Sequence, residues 1–295
     1  MNLPPFFRAM RPHQWHKNLL VFAALIFDVK FLQPTYLLRT IAAFAMLCLL
    51  SSSVYLFNDI ADVEQDRQHP KKRFRPIAAG QLSIRTAWIL ALALPMVILP
   101  LSFWLNPYLG LVLLLYWGQN LAYSFKLKHV VIIDVLLVAS GFLLRVVAGV
   151  QVIDVERFSP WLYLCVTLGS LLIGFGKRRH ELMLIQNGST GHRVVLDQYN
   201  LPFVDSLINM VATSTLLAYC LYTFSAPNLP QNHAMMLTIP FVIYGLARYL
   251  YLMHVRGEGG SPDELILRDK PLALTVLIWV CTAAFILYFW GNHAA

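Results

Sequence analysis

The chain has 295 residues, of which 58% are hydrophobic and 13% charged. A soluble domain carries roughly 25% charged residues, so this composition excludes a soluble enzyme and leaves no polar stretch long enough for a separate soluble domain. The formal net charge of +8 does not indicate nucleic acid, because the basic residues gather in alternate loops between apolar runs instead of forming one patch.

Apolar runs of about 20 residues, the length that crosses a bilayer as helix, recur throughout. The expectation is an all-α polytopic membrane protein forming one domain over residues 1–295. The start, Met1-Asn2-Leu3-Pro4-Pro5 followed by Arg8 and Arg11, lacks an apolar core with a cleavage site, so the first span is expected to be retained.

Nine spans are expected. They lie near Lys17–Phe27, Tyr36–Phe57, Ile84–Leu105, Tyr108–Tyr123, Val130–Val152, Trp161–His180, Val204–Phe224, Met235–His254 and Leu272–Trp290. The first is short. Asn106-Pro107 reads as a turn, and Ser261-Pro262-Asp263-Glu264 as the capped start of a short helix. Cys48, Cys165, Cys220 and Cys281 are far apart, each within an apolar run, and read as small core residues.

With the N-terminus inside, 18 of the 23 Lys and Arg fall on the inner side. Only Lys30, Arg39 and Arg157 fall outside, and Arg145 and Arg248 lie within spans. The positive-inside rule therefore predicts a cytoplasmic N-terminus and an odd number of spans. Every long polar loop is then cytoplasmic.

The first of these loops follows the stretch Asn58-Asp59-Ile60-Ala61-Asp62-Val63-Glu64-Gln65-Asp66. If the helix continues, Asp59, Asp62 and Asp66 fall within roughly 60° of one another at about 100° per residue and form one acidic stripe. Ionisable groups at a membrane edge are expensive and read as a site. His69-Pro70-Lys71-Lys72-Arg73-Phe74-Arg75-Pro76 follows directly. Carboxylates on one face suit Mg²⁺, which keeps room for substrate phosphates. Adjacent Lys72 and Arg75 can take the remaining phosphate charge.

Asn58-Asp59-x-x-Asp62-x-x-x-Asp66 resembles the NDxxDxxxD motif of the UbiA-type intramembrane prenyltransferases. A narrower resemblance is to one branch, the decaprenyl-phosphate phosphoribosyltransferases. It runs through Arg11-Pro12-x-Gln14-Trp15-x-Lys17-Asn18, His69-Pro70-x-Lys72-x-x-Arg75-Pro76, Tyr123-Ser124-x-x-Leu127-Lys128 and Asp134-Val135. It continues through Gly141-Phe142-x-x-Arg145-x-x-Ala148-Gly149, Lys177-Arg178-x-x-Glu181 and Tyr244-Gly245-x-x-Arg248-Tyr249.

The superfamily resemblance implies nine transmembrane helices around a cytoplasm-facing cavity, with Mg²⁺ on Asp59, Asp62 and Asp66 and Asn58 beside them. The branch implies transfer of 5-phosphoribose from phosphoribosyl diphosphate to a polyprenyl phosphate of decaprenyl type in the plasma (inner) membrane. That step leads toward a lipid-linked arabinose donor for cell-wall polysaccharide, and the branch is compatible with a homo-oligomer. Prenyltransferases with aromatic acceptors carry a second aspartate-rich motif after the fourth span. Here that loop offers Lys126, Lys128 and the single Asp134 after Tyr123, which suits a ligand with phosphate at two ends.

Three clusters keep two readings each. Asp134 and Arg145 share one helix face, so Arg145 either meets substrate from below or pairs within the bundle. Lys177 and Arg178 contact phosphate, or anchor the helix end with Glu181 as an ion pair. Lys17 and Asn18 bind a lipid phosphate, or belong to a basic interfacial anchor.

Overall fold

A chain this apolar finds no water in a bilayer for its backbone, so each segment must close its own hydrogen bonds. The computed structural model describes residues 4–28, 30–70, 72–154, 159–186, 194–226, 229–260, 265 and 268–291. Among these the regular structure is helical. The chain divides into two units: Met1–Ile26 with Lys30–Leu137 and Gly141–Val155, and Phe27–Val29 with Val138–Ser140 and Glu156–Ala295.

The first unit begins with α1 (Pro5–Ala9), a 3-10 run over Pro12–Phe22 and α2 (Ala23–Phe27). The expected first span is therefore mostly 3-10, and its 11 residues make a long run for that geometry. Side chains pin the run. Trp15 Nε1 donates to Ser52 Oγ (3.1 Å), and Ser52 Oγ donates to the Met10 carbonyl (3.0 Å). Their partner helix is α3 (Pro34–Ala61), which is followed by α4 (Val63–Gln68), α5 (Ile84–Leu105), α6 (Pro107–Phe125) and α7 (Ile133–Val150).

Local chemistry sets the helix starts. Ser83 Oγ accepts from the Thr86 amide and opens α5. Asn106 Oδ1 accepts from the amides of Tyr108 (2.8 Å) and Leu109 (3.1 Å), with Pro107 at the first helical position, so the expected turn is a capped helix start.

α3 packs against the 3-10 run, α5 and α6. Val21, Leu47, Leu50, Leu109, Leu113, Tyr116 and Ala148 are buried together in one core. A Cβ on Gly149 would run into the Val21 carbonyl, so only glycine lets α7 lie this close to the 3-10 run. The opposite surface of α5 exposes Ile89, Met96, Val97 and Trp104, an apolar face suited to lipid.

In the second unit α8 (Pro160–Gln186) pairs with α9 (Leu201–Ser225), and α10 (Ile239–His254) contacts α9 and α11 (Lys270–Gly291). Asn200 caps α9 through the Phe203 amide. Arg248 grips the Asp269 carboxylate with two nitrogens at 3.1 and 2.8 Å, and Asp269 Oδ1 accepts from the Leu272 amide at the start of α11. The helix start expected at Ser261-Pro262-Asp263-Glu264 lies outside the described residues.

The nine expected spans are helical through their described interiors, with the fifth trimmed to Ile133–Val150, and among the described residues seven helices are long and apolar enough to cross a membrane. The other two are the 3-10 run with α2, and α6, whose polar Gln119 and Asn120 lower its hydropathy. The architecture is all-α and multi-pass.

Candidate active site

α3 carries the acidic motif to its C-terminal end. Its last helical residue is Ala61; Asp62 leaves helical geometry (φ −99°, ψ 10°), and α4 starts at Val63. The helix does not continue through the motif, so the expected single stripe is replaced by a bend at Asp62. Asp59 stays on α3 and Asp66 rides on α4.

The bend sorts the carboxylates by partner. Arg75 Nη1 donates to Asp59 Oδ1 (3.1 Å) and Asp66 Oδ2 (2.6 Å) at once. Arg11 Nη2 donates to the same Asp59 oxygen. Asp62 faces a different cation: Lys128 Nζ donates to its Oδ1 at 2.9 Å. Asp59 and Asp66 are each 2% exposed, whereas Asp62 and its lysine are half-buried. Three carboxylates are thus held by three cationic side chains drawn from three separate segments. The pairs of the buried Asp59 and Asp66 tolerate no missing partner, because breaking a buried pair costs about 3–5 kcal/mol.

Each cation is delivered by local structure. Arg75 follows the 3-10 turn Lys72–Phe74, and two residues later Ile77 is buried with Leu56 and Phe57 of α3, which moors the loop beside Asp59. Arg11 lies in the left-handed region (φ 53°, ψ 59°), and its guanidinium rests 5.1 Å from the Tyr55 ring centroid. Lys128 sits in the 3-10 turn Leu127–His129 between α6 and α7. Ile132, just beyond, has φ 68°, a strained value for a β-branched residue. Strain of this kind clusters where surrounding structure must aim side chains. Asp134, two residues on, is fully buried at the start of α7.

Arg145, deeper on α7, donates Nε to Asn18 Oδ1 (2.7 Å), Nη1 to the Gly141 carbonyl (2.8 Å) and Nη2 to the Tyr116 hydroxyl (2.8 Å). Asn18 in turn donates to Ser51 Oγ and Cys48 Sγ. Of the other expected site residues, Asn58, Lys17 and Tyr123 are partly exposed in this unit, and Lys72 and Lys126 are exposed. Lys177 is an exposed residue of α8 in the second unit, where its neighbour Arg178 forms an ion pair with Glu181. Arg11 was expected only as part of a motif. No local signal marks it, because its partner lies 48 positions away.

The sequence profile of the UbiA prenyltransferase family matches residues 19–177. The chain belongs to this family. It is 36% identical over 293 residues to a protein of Mycolicibacterium smegmatis named decaprenyl-phosphate phosphoribosyltransferase, covering 96% of this chain and 92% of that one. A Corynebacterium glutamicum protein of the same name is 37% identical, with 95% of this chain and 86% of the other covered. In fold, the chain is similar to a UbiA homologue from Archaeoglobus fulgidus solved with DMAPP and Mg²⁺ (TM-score 0.73, 16% identity, 96% of this chain and 99% of that chain). The UbiA bundle is thereby shared.

The acidic motif fits a hard divalent cation. Among the described residues no three His, Cys, Asp or Glu side chains converge. Two carboxylates do: Asp59 and Asp66 meet on one cationic nitrogen of Arg75. Asp59 Oδ2 is buried without a hydrogen-bond partner, an acceptor left over in a place where an unmet polar atom is costly.

Proposed function

We propose that this UbiA-family protein transfers 5-phosphoribose from phosphoribosyl diphosphate to the phosphate of a decaprenyl-type lipid. The Lys128–Asp62 contact carries the reading: the second polar loop brings a lysine to the acidic motif, and a lysine there serves a donor with phosphate at both ends of its sugar. The names of the relatives at 36% and 37% identity over nearly the whole chain point the same way.

In this reaction the bond from the anomeric carbon to diphosphate breaks and one to a lipid-phosphate oxygen forms, with the electron pair leaving on diphosphate. Asp59 and Asp66 would hold the metal, with Asp62 alongside. Bound Mg²⁺ supplies positive charge to the departing diphosphate. Arg75 and Lys72 take phosphate charge from the loop side, and Lys126 and Lys128 from the second loop. The lipid phosphate is already an anion, so no general base has to activate it. Catalysis is mainly positioning and electrostatics. Asn58 and Tyr123 border this polar end. Asp134 at the start of α7 is assigned to the ribose. Lys17, beside the buried Asn18, is assigned to the lipid phosphate. Arg145 acts by holding Asn18. The site opens to the cytoplasm of a cell with the protein in its plasma membrane, where the donor is dissolved and the acceptor embedded.

The test is a transfer assay on the purified protein in detergent, with polyprenyl phosphate, labelled phosphoribosyl diphosphate and Mg²⁺, with and without EDTA. Label should enter the lipid phase only with Mg²⁺. Asp62→Asn should abolish transfer while melting near the wild type, since asparagine keeps an oxygen for Lys128 and a pair that water reaches is worth only about 0–1 kcal/mol. Release of diphosphate from an allylic diphosphate with an aromatic acceptor, and no ribosyl transfer, would instead make the protein a prenyltransferase.

A further inference from the structure

We propose that Arg11 is a diphosphate-binding residue held in reserve on Asp59, and that with Arg75 it makes the divalent cation and the diphosphate bind as one. The inference rests on the phosphoryl-donor reading above and adds a residue and a coupling to it.

Asp59 is used lopsidedly. Its Oδ1 takes both guanidiniums, Arg11 and Arg75. Its Oδ2 is buried with no hydrogen-bond partner. One oxygen is doubly engaged while the other remains available to a further cation. A carboxylate needing only neutralisation would spread two guanidiniums over both oxygens, as Asp269 spreads the two nitrogens of Arg248.

The two arginines are also placed to change partners. Arg11 reaches Asp59 across 48 positions of sequence from a left-handed backbone that arginine rarely adopts. Its guanidinium keeps a second support on the face of Tyr55, so leaving Asp59 does not leave it without a neighbour. Arg75 spans Asp59 and Asp66 through one nitrogen, and guanidinium is the side chain best matched to phosphate oxygens. Both are partly exposed, at 20% and 25%, whereas their carboxylate is at 2%.

Charge decides the outcome. Asp59, Asp62 and Asp66 are balanced by Arg11, Arg75 and Lys128. A divalent cation arriving alone meets guanidiniums already on its ligands and is repelled. A diphosphate arriving alone meets carboxylates that hold the arginines back. When the two arrive together, the arginines turn to phosphate oxygens and the carboxylates turn to the metal. Each ligand then raises the affinity of the other by the same factor, as reciprocity of coupling requires.

The experiment is equilibrium dialysis of Mn²⁺ against the full-length protein in detergent, with inorganic pyrophosphate either absent or equal on both sides of the membrane. Protein-retained Mn²⁺ is read directly, so metal bound to pyrophosphate in solution cancels. The wild type should bind Mn²⁺ about tenfold or more tightly with pyrophosphate, within the usual range of coupling between sites. Arg11→Gln should bind Mn²⁺ alone more tightly than the wild type, lose most of the pyrophosphate-dependent gain and bind pyrophosphate more weakly; Arg11→Lys should stand between the two. Equal Mn²⁺ affinity with and without pyrophosphate in the wild type overturns the coupling, whatever the variants do. A folded Arg11→Gln that matches the wild type in both conditions overturns the role of Arg11. Intact coupling with no ribosyl transfer refutes the donor assignment alone, and transfer without coupling refutes this inference alone. No Mn²⁺ retained under any condition overturns both.

Discussion

A guanidinium that donates only to neutral oxygens keeps its full charge, and Arg145 does this within a membrane span. Asn18, the Gly141 carbonyl and the Tyr116 hydroxyl take all of its nitrogens, and the Tyr116 and Phe142 rings face it at 4.9 and 5.2 Å. Arg145→Ala should therefore cost about 3 kcal/mol through stranded partners. The readout is a lowered melting temperature in detergent with unchanged affinity for pyrophosphate. Weakened affinity at an unchanged melting temperature would instead put Arg145 against the donor. Its position on the face of Asp134 was readable from spacing. Its partners were not, since Asn18 and Tyr116 are 127 and 29 positions away. The same distance hid the Arg11–Asp59 contact, and nothing in the residues around Arg11 announces a left-handed backbone without glycine.

Helices that end by local chemistry were legible, and those that end by tertiary contact were not. Asn106-Pro107 starts α6 because a cap and a proline act within a few residues. The break between α3 and α4 has no proline or glycine to mark it. It falls at Asp62, where the chain divides its carboxylates between Arg75 and Lys128. The close seat of α7 on the 3-10 run gives this scale its own test. Gly149→Ala and Gly118→Ala each gain about 1 kcal/mol of helix propensity. Gly149 faces the Val21 backbone, whereas nothing lies within 4 Å of a Cβ at Gly118. Gly118→Ala should melt at or above the wild-type temperature and Gly149→Ala clearly below it, because overpacking costs about 1–3 kcal/mol. Equal melting temperatures would show that the contact is not tight.

For the molecule as a whole, composition announced the membrane, and the charge distribution predicts an orientation. The division into two units was not announced, because the boundary stretch Asp154-Val155-Glu156-Arg157 is short and reads as one more loop between spans. Orientation is tested by labelling in a background lacking the four cysteines. A membrane-impermeant maleimide should reach Gln231→Cys in intact cells and Lys72→Cys only after permeabilisation; both parent residues are exposed. The reverse pattern would put the acidic motif outside and remove a cytosolic donor from consideration. The break at Asp62 reaches further than geometry. Asp59 belongs to a 28-residue helix packed in the bundle, and Asp66 to a helix of six residues, far below the length that holds itself together in isolation. Segments of such unequal stability open independently, the smaller at far lower cost. The two ends of the acidic motif therefore rest on different supports: Asp59 on the bundle, and Asp66 on one short turn and its pair with Arg75, so amide hydrogen exchange should be faster along α4 than along the end of α3.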